Sequence, residues 1–171
     1  MIVILMGVAG SGKTTVGQRL AATLNWQFIE GDRFHSPANV AKMRRGEPLT
    51  DVDRWPWLNA IRTEIEQIQA AGSSVVVACS ALKEDYRVVL AGKSADAIKF
   101  VYLKVTPEVL RSRLMQRSGH FMKAQMLASQ LATLESPDNA LVLEVEAETT
   151  LATLVEQICL RLDLPTDTPE M

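Results

Sequence analysis

Ile2-Val3-Ile4-Leu5-Met6-Gly7-Val8-Ala9-Gly10-Ser11-Gly12-Lys13-Thr14-Thr15 is the stretch that decides the fold of this chain. Its first five residues are an unbroken apolar run, and Gly7 to Thr14 fit the pattern G-x-x-x-x-G-K-[ST]. A buried strand that runs into a glycine-rich turn and then a helix wraps backbone N–H groups around phosphates. The glycines accept positive φ and carry no Cβ that would hold a phosphate away. The spacing puts Lys13 at the β- and γ-phosphates and the Thr14 hydroxyl on Mg²⁺. The helix that follows, roughly Lys13 to Leu24, points its N-terminal dipole at the same charge. The pattern implies a bound nucleoside triphosphate, cradled by Gly7, Val8, Ala9, Gly10, Ser11, Gly12, Lys13, Thr14 and Thr15, with Thr14 at the metal.

The chain has 171 residues, 47% hydrophobic and 22% charged, which suits one compact domain. A net charge of −2 argues against a general binder of nucleic acid or anionic membranes. Cys79 and Cys159 lie far apart without metal or C-x-x-C spacing, so they read as buried thiols in a reducing cytosol. The N-terminal apolar run has no basic region before it and is cut short by the glycine-rich loop, unlike a signal peptide. No run approaches the ~20 apolar residues of a membrane span. A cytoplasmic protein is expected, with neither nucleic acid nor membrane as partner.

Working outward, apolar runs recur at Ile2–Met6, Trp26–Glu30, Ser74–Cys79, Lys99–Leu103 and Leu141–Val145. Between them lie amphipathic stretches, the clearest with Leu58, Ile61, Ile65 and Ile68 on one helix face. For that helix Asp53 is the expected N-cap, Pro56 belongs in the first turn and Gly72 marks the end. A last helix carries Leu151, Leu154, Val155, Ile158 and Leu162. The alternation predicts an α/β fold, a five-stranded parallel sheet with helices on both faces, and with the glycine-rich loop at its first turn a P-loop kinase fold is expected. We expect one domain over residues 1–164, with a small mobile lid at about 113–123 and a flexible tail over 165–171. Ligands on such a sheet sit at the carboxyl ends of the strands.

The strand ends then say which kind of phosphate-loop protein this is. There is no D-x-x-G switch and no complete [NT]-K-x-D motif, so a GTPase is excluded. The third strand ends in Ala78-Cys79-Ser80 without the acid that motor and transporter ATPases place late in the chain. The first acids at a strand end are in Glu30-Gly31-Asp32, after the second strand, as in small-molecule kinases of this fold. Phosphoryl transfer needs positioning, charge neutralisation and one group to take the acceptor's proton. Asp32 is the candidate for that group, and Gly31 would let the backbone approach a ligand. Arg111, Arg113 and Arg117 lead into Ser118-Gly119-His120, and Arg113 and Arg117 share a helix face at i,i+4. They suit a lid in which Arg113 and Arg117 bind the nucleotide and Arg117 stabilises charge in the transition state. Beyond Asp32 the chain is dense in His35, Asn39, Lys42, Arg44, Arg45, Asp51, Asp53 and Arg54. That density implies a cap presenting cations to a small anionic acceptor rich in hydroxyls.

From the phosphate loop through Pro137 the chain closely resembles the gluconokinase family. The resemblance rests on Gly7–Thr14, Gly31-Asp-Arg-Phe-His35, Asn39-Val-Ala-Lys-Met43 with Gly46-Glu-Pro-Leu49, and Asp51-Val-Asp-Arg54 with Pro56-Trp57-Leu58. It continues in Cys79-Ser-Ala-Leu-Lys83 with Tyr86-Arg87, then Gly119-His-Phe121 with Ser129-Gln130. It implies transfer from ATP, with Mg²⁺, to D-gluconate. It also implies that Asp32, His35, Lys42, Arg54, Ser80, Arg87 and His120 line the acceptor site, with Arg54 or Arg87 on the carboxylate. Many relatives read Asp-Gly-Asp where this chain has Glu30-Gly31-Asp32; Ala9 stands where serine is common. The resemblance, with Trp55 and Trp57 taken as exposed, points to a homodimer. On the residues alone, a kinase for another small acid such as shikimate stays open, as does a regulatory ATP-binding module without chemistry. A nucleoside-monophosphate kinase fits less well, because its acceptor phosphate brings no alcohol proton to Asp32.

Overall fold

The structure, a computed structural model, describes residues 1–93, 95–115 and 120–165, with backbone only for 114–115 and 120–125. Five parallel strands, β1 (Ile2–Met6), β2 (Gln27–Glu30), β3 (Val75–Ala78), β4 (Ile98–Val105) and β5 (Ala140–Val145), form one sheet in the order β2-β3-β1-β4-β5. β1 lies in the middle, with Ile4 opposite Val77 of β3 and Phe100 of β4. All five β1 residues are 0% exposed, which is why that strand reads as a continuous apolar run. Each such side chain contributes about 1.5–3 kcal/mol on leaving water.

Successive β1 side chains point to opposite faces. Val3 and Leu5 face helices α1 (Lys13–Leu24) and, at the other end of the chain, α7 (Leu151–Arg161), packing with Leu20, Leu154 and Ile158. Ile2, Ile4 and Met6 face α3 (Asp51–Ala70) and α4 (Glu84–Ala91), packing with Leu58, Ile61, Tyr86 and Leu90. A short helix, α2 (Pro37–Arg44), precedes α3; α5 (Pro107–Met115) and α6 (His120–Thr133) connect β4 to β5. A third apolar cluster joins Val8 of the phosphate loop to Leu82, Leu110 and Leu127, seating α5 and α6 against that loop.

The start of α3 differs from the sequence expectation. Thr50, not Asp53, is the N-cap: its side chain accepts from the Asp53 N–H at 3.3 Å, while the Asp53 carboxylate accepts from the Thr50 N–H at 2.8 Å. This reciprocal capping box satisfies two helix-end donors, so it outcompetes a single Asp cap. Pro56 consequently lies inside the helix rather than in its first turn. The residue whose carbonyl it leaves without an N–H partner, Val52, is 77% exposed. From the next turns of α3, Arg62 reaches α4 and donates to the Leu90 and Ala91 carbonyls at 3.0 and 2.8 Å, closing that helix's C-terminus.

Two further expectations are corrected. Trp57 is 3% exposed and part of the core rather than exposed, while Trp55 is half-buried against that core. Gly31 is glycine because of the neighbouring strand: a Cβ there would lie 2.5 Å from the Ala78 carbonyl oxygen. Both cysteines are buried and unpaired, and burial pushes the Cys79 thiol up to about 12. No described helix is long and apolar enough to cross a membrane. The expected tail lies outside the described residues beyond Pro165.

Candidate active site

The strand-to-helix turn holds Gly10 and Gly12 at φ 82° and 98°, values that side-chain-bearing residues rarely adopt. Gly12 is also the N-cap of α1, and no side chain caps it, so the helix's first N–H groups are left to a ligand. The Lys13 ammonium bridges the Gly7 and Val8 carbonyls at 3.0 Å each, which holds it over the loop. Burial lowers its pKa, and the Asp32 carboxylate is the first of the groups opposing that shift. Thr14 donates to Glu30 at 2.6 Å, bringing the hydroxyl and an acid from the end of β2 together. The Ser11 hydroxyl is buried and has no hydrogen-bond partner among the described residues.

A cavity opens on each side of this loop. One, about 430 Å³, is lined by Gly10, Ser11, Gly12, Thr15, Arg113 and the Thr149–Leu154 segment before and within α7. Arg113 leans over it and donates to the Gly10 carbonyl at 2.8 Å. The other, about 190 Å³, is lined by Lys13, Asp32, His35, Arg54, Ser80 and Gln130, with Trp57, Leu49 and Met126 among its apolar walls. The phosphate loop is thus the partition between two chambers, one wide and one small, with polar groups set among apolar walls.

Within the small chamber the Asp32 side chain is 77% exposed and that of His35 is 5% exposed. Their closest approach, 3.9 Å, is too long for a hydrogen bond. His35 stacks on Trp57 with ring centres 4.3 Å apart and 14° between planes. Trp57 in turn donates its indole N–H to the Gly31 carbonyl at 2.8 Å, tying the stack to the turn that carries Asp32. Burial holds the His35 pKa below its usual value, with Asp32 opposing and Arg54 reinforcing the shift, so the ring is neutral at pH 7. Its Nδ1 is buried without a partner among the described residues.

Arg54 is aimed by its neighbours on α3 and α4. Its guanidinium donates to the Tyr86 hydroxyl at 2.9 Å, and that hydroxyl donates to the Asp51 carboxylate. Lys83 donates to both Asp51 oxygens at 3.0 and 2.8 Å. The hydrogen bond from Lys83, then that from Tyr86, holds the Asp51 carboxyl below the usual range.

Two residues implied for the acceptor site stand elsewhere. Arg87 is buried and donates to the Ala81, Leu82 and Glu135 carbonyls while pairing with Glu84. Its guanidinium is saturated by the β3–α4 turn and does not line the small chamber. Lys42 donates to both Asp53 oxygens at 2.8 and 2.9 Å, and this bond, with those from Thr50, pulls the Asp53 carboxyl to about 2. Arg45 is likewise paired, with Glu47. The cation-rich cap is therefore largely neutralised within itself, and of its cations only Arg54 lines the chamber. Arg117 and Gly119 lie outside the described residues, as does the side chain of His120. Gln130, in contrast, lines the chamber and was not among the expected contacts, although Ser129-Gln130 is one of the segments that carry the resemblance; an uncharged amide late in a helix names no chemistry by itself.

A triphosphate cradle with a separate chamber for a small polar acceptor, on a parallel sheet of this order, is the architecture of a phosphate-loop kinase. The family model described as an AAA domain matches residues 2–137. A gluconokinase of Gluconobacter oxydans is 49% identical over 146 residues, 85% of this chain and 82% of that protein, and the thermoresistant gluconokinase of Escherichia coli is 42% identical, covering 90% and 89%. The crystal structure of a gluconokinase from Sinorhizobium meliloti superposes with a TM-score of 0.81 at 40% identity, over 94% of this chain and 90% of that one. The chain belongs to the gluconokinase family.

Proposed function

We propose that this protein transfers the γ-phosphoryl group of ATP to D-gluconate, giving ADP and 6-phospho-D-gluconate. The observation that carries the reading is the small chamber beside the phosphate loop, which holds one accessible carboxylate, Asp32, and one guanidinium held in a fixed direction, Arg54. A hydroxyl acceptor needs the first and an anionic acceptor the second.

In this reading the loop N–H groups and Lys13 bind the β- and γ-phosphates, and Arg113 and Arg117 close over the nucleotide from the wide chamber. Arg54 pairs with the gluconate carboxylate. Neutral His35 and Ser80 hydrogen-bond its hydroxyls, and Asp32 takes the proton of the hydroxyl that attacks the γ-phosphorus. Thr14, with Glu30 beside it, offers oxygen ligands suited to Mg²⁺, which supplies charge neutralisation on the phosphates. Among the described residues no three acids, histidines or cysteines converge into a protein-only cage. Mg²⁺ held chiefly by phosphates, water and one or two side chains needs none. The two unpaired buried thiols suit a reducing compartment, so we place the enzyme in the cytoplasm, and assembly as a homodimer is testable by light scattering.

A coupled ADP-release assay across a panel of sugar acids and shikimate tests the proposal. Turnover restricted to gluconate, with 6-phosphogluconate as product, is the expected result. Turnover with another acid instead would reassign the acceptor, and none with any acceptor would favour an ATP-binding module without chemistry.

A further inference from the structure

We propose that Gln130 is an acceptor-contacting residue, and that the phosphate loop itself sets the direction of its amide. Its side-chain oxygen accepts the Ala9 N–H at 2.6 Å. A backbone N–H can only donate, so the atom facing Ala9 must be the carbonyl oxygen, and the orientation of the planar amide follows. The amide nitrogen is then fixed on the other branch. Gln130 lines the small chamber with Asp32, His35, Arg54 and Ser80, and its nitrogen makes no hydrogen bond to any described residue.

The position is held from the other side as well. Just beyond α6, Glu135 donates its N–H to the Leu82 carbonyl at 2.8 Å, and its carboxylate accepts the Glu84 N–H at 2.6 Å. The end of α6 is therefore pinned to the β3–α4 turn while Gln130 is pinned to the loop. A half-buried residue at the chamber wall whose amide nitrogen has no partner among the described residues has a donor left for an acceptor oxygen. Because Ala9 belongs to the loop, that oxygen is on the part of the acceptor nearest the phosphoryl group. The chemical class recognised is a polyhydroxylated acid, through a hydroxyl oxygen adjoining the one that is phosphorylated. A site built to bond a hydroxyl rejects the analogue that lacks it far more strongly than an apolar pocket would.

The inference rests on the gluconate kinase reading, so the test begins with the wild-type enzyme. If that enzyme does not phosphorylate gluconate, the functional reading itself falls. If it does, two variants decide the role of Gln130. Gln130→Glu keeps an oxygen for Ala9 but donates nothing, and Gln130→Met keeps the bulk without adding charge. Both should raise the gluconate KM at least tenfold, with the ATP KM changing less than about threefold. In Gln130→Met, discrimination between gluconate and one member of a monodeoxygluconate series should also collapse at least tenfold. A Gln130→Glu enzyme with the wild-type gluconate KM, or equal rises in both KM values with discrimination intact, would reduce Gln130 to a structural pin and overturn the proposal. If Gln130→Met does not fold, Gln130→Glu assayed against the same series decides between the two roles.

Discussion

Thr14, the second residue of α1, donates its hydroxyl to Glu30, the last residue of β2, at 2.6 Å. Glu30 therefore reaches the hydroxyl that the loop motif expects at the metal. An acid that orients a ligand in this way typically changes metal affinity on the order of 10-fold when it is neutralised. Glu30→Gln should raise the Mg²⁺ concentration for half-maximal activity by that order, and Thr14→Ala by more. Titrating Mg²⁺ at fixed ATP checks this; unchanged curves for both variants would separate the pair from the metal.

Among the described residues Lys13 is the only ammonium lining the small chamber, and two loop carbonyls hold it in place. Lys13→Ala removes a preorganised charge from the transferring phosphoryl group. Turnover should fall on the order of 10³-fold. Near-normal turnover in a variant with an unchanged melting temperature would contradict the assignment of the loop.

Asp32→Asn preserves size and removes the ability to accept a proton. Such contributions are typically ~10²–10⁴-fold, so kcat should fall by that order while the gluconate KM moves far less. Steady-state kinetics in both substrates distinguish the outcomes. Recovery at high Mg²⁺ with a raised ATP KM would assign Asp32 to the metal's water instead.

Arg54 carries the charge expected to meet the acceptor carboxylate, and Tyr86 aims it. Charge-assisted bonds contribute about 1.5–3 kcal/mol, so Arg54→Ala should raise the gluconate KM roughly 10–100-fold. Arg54→Lys should restore only part of this, since a point charge cannot form the paired contact. Tyr86→Phe frees the guanidinium from its guide and should give a smaller rise in the same constant. A Tyr86→Phe enzyme that loses only thermal stability would show that Arg54 needs no guide.

His35 makes stability depend on pH in a definite direction. Burial lowers its pKa in the folded protein, while the unfolded chain takes up a proton near ~6.5. The unfolded state therefore binds more protons between the two values, so stability is lost as pH falls below ~6.5 and the loss is complete below the folded value. His35→Phe keeps a ring on Trp57 and removes the titration. Urea unfolding at pH 7.5, 6.5 and 5.5 should show a decline in the wild type that is reduced in the variant; equal declines would clear His35 of the effect.

β1 and β3 were legible because burial on both faces leaves no alternation to blur them, and the other strands because they are short apolar runs between helical patterns: Ile2–Met6 is identical in sequence reading and structure, and the other four shift by one or two residues. Asp32 and Arg54 were readable as candidates because each is a charge at a strand end or in the cap, and both line the small chamber. What the sequence hides is pairing. Lys42 and Arg54 look alike as cations, yet only a folded chain shows Asp53 holding the first and Tyr86 turning the second into the chamber. Arg87 is hidden for the same reason, because besides Glu84 its acceptors are backbone carbonyls that any sequence would supply.

The bond from Arg62 to the end of α4 bears on how an enzyme of this kind could be given a new acceptor. Arg54 and the residues that aim it stand on two helices that Arg62 helps to fasten together, so moving the proposed anion-binding point disturbs that contact and releases Tyr86 as well. On α6, which Gln130 and Glu135 pin to the phosphate loop and the β3–α4 turn, Met126 and Ser129 face the same chamber, and neither side chain makes a hydrogen bond to a described residue. Libraries that recode those two positions and keep Arg54 should retarget the enzyme among acids of different carbon skeleton. Libraries centred on Arg54, Tyr86 and Lys83 should mostly yield unstable protein. The molecule is divided into a half that remembers the charge of its substrate and a half that is free to learn a new shape.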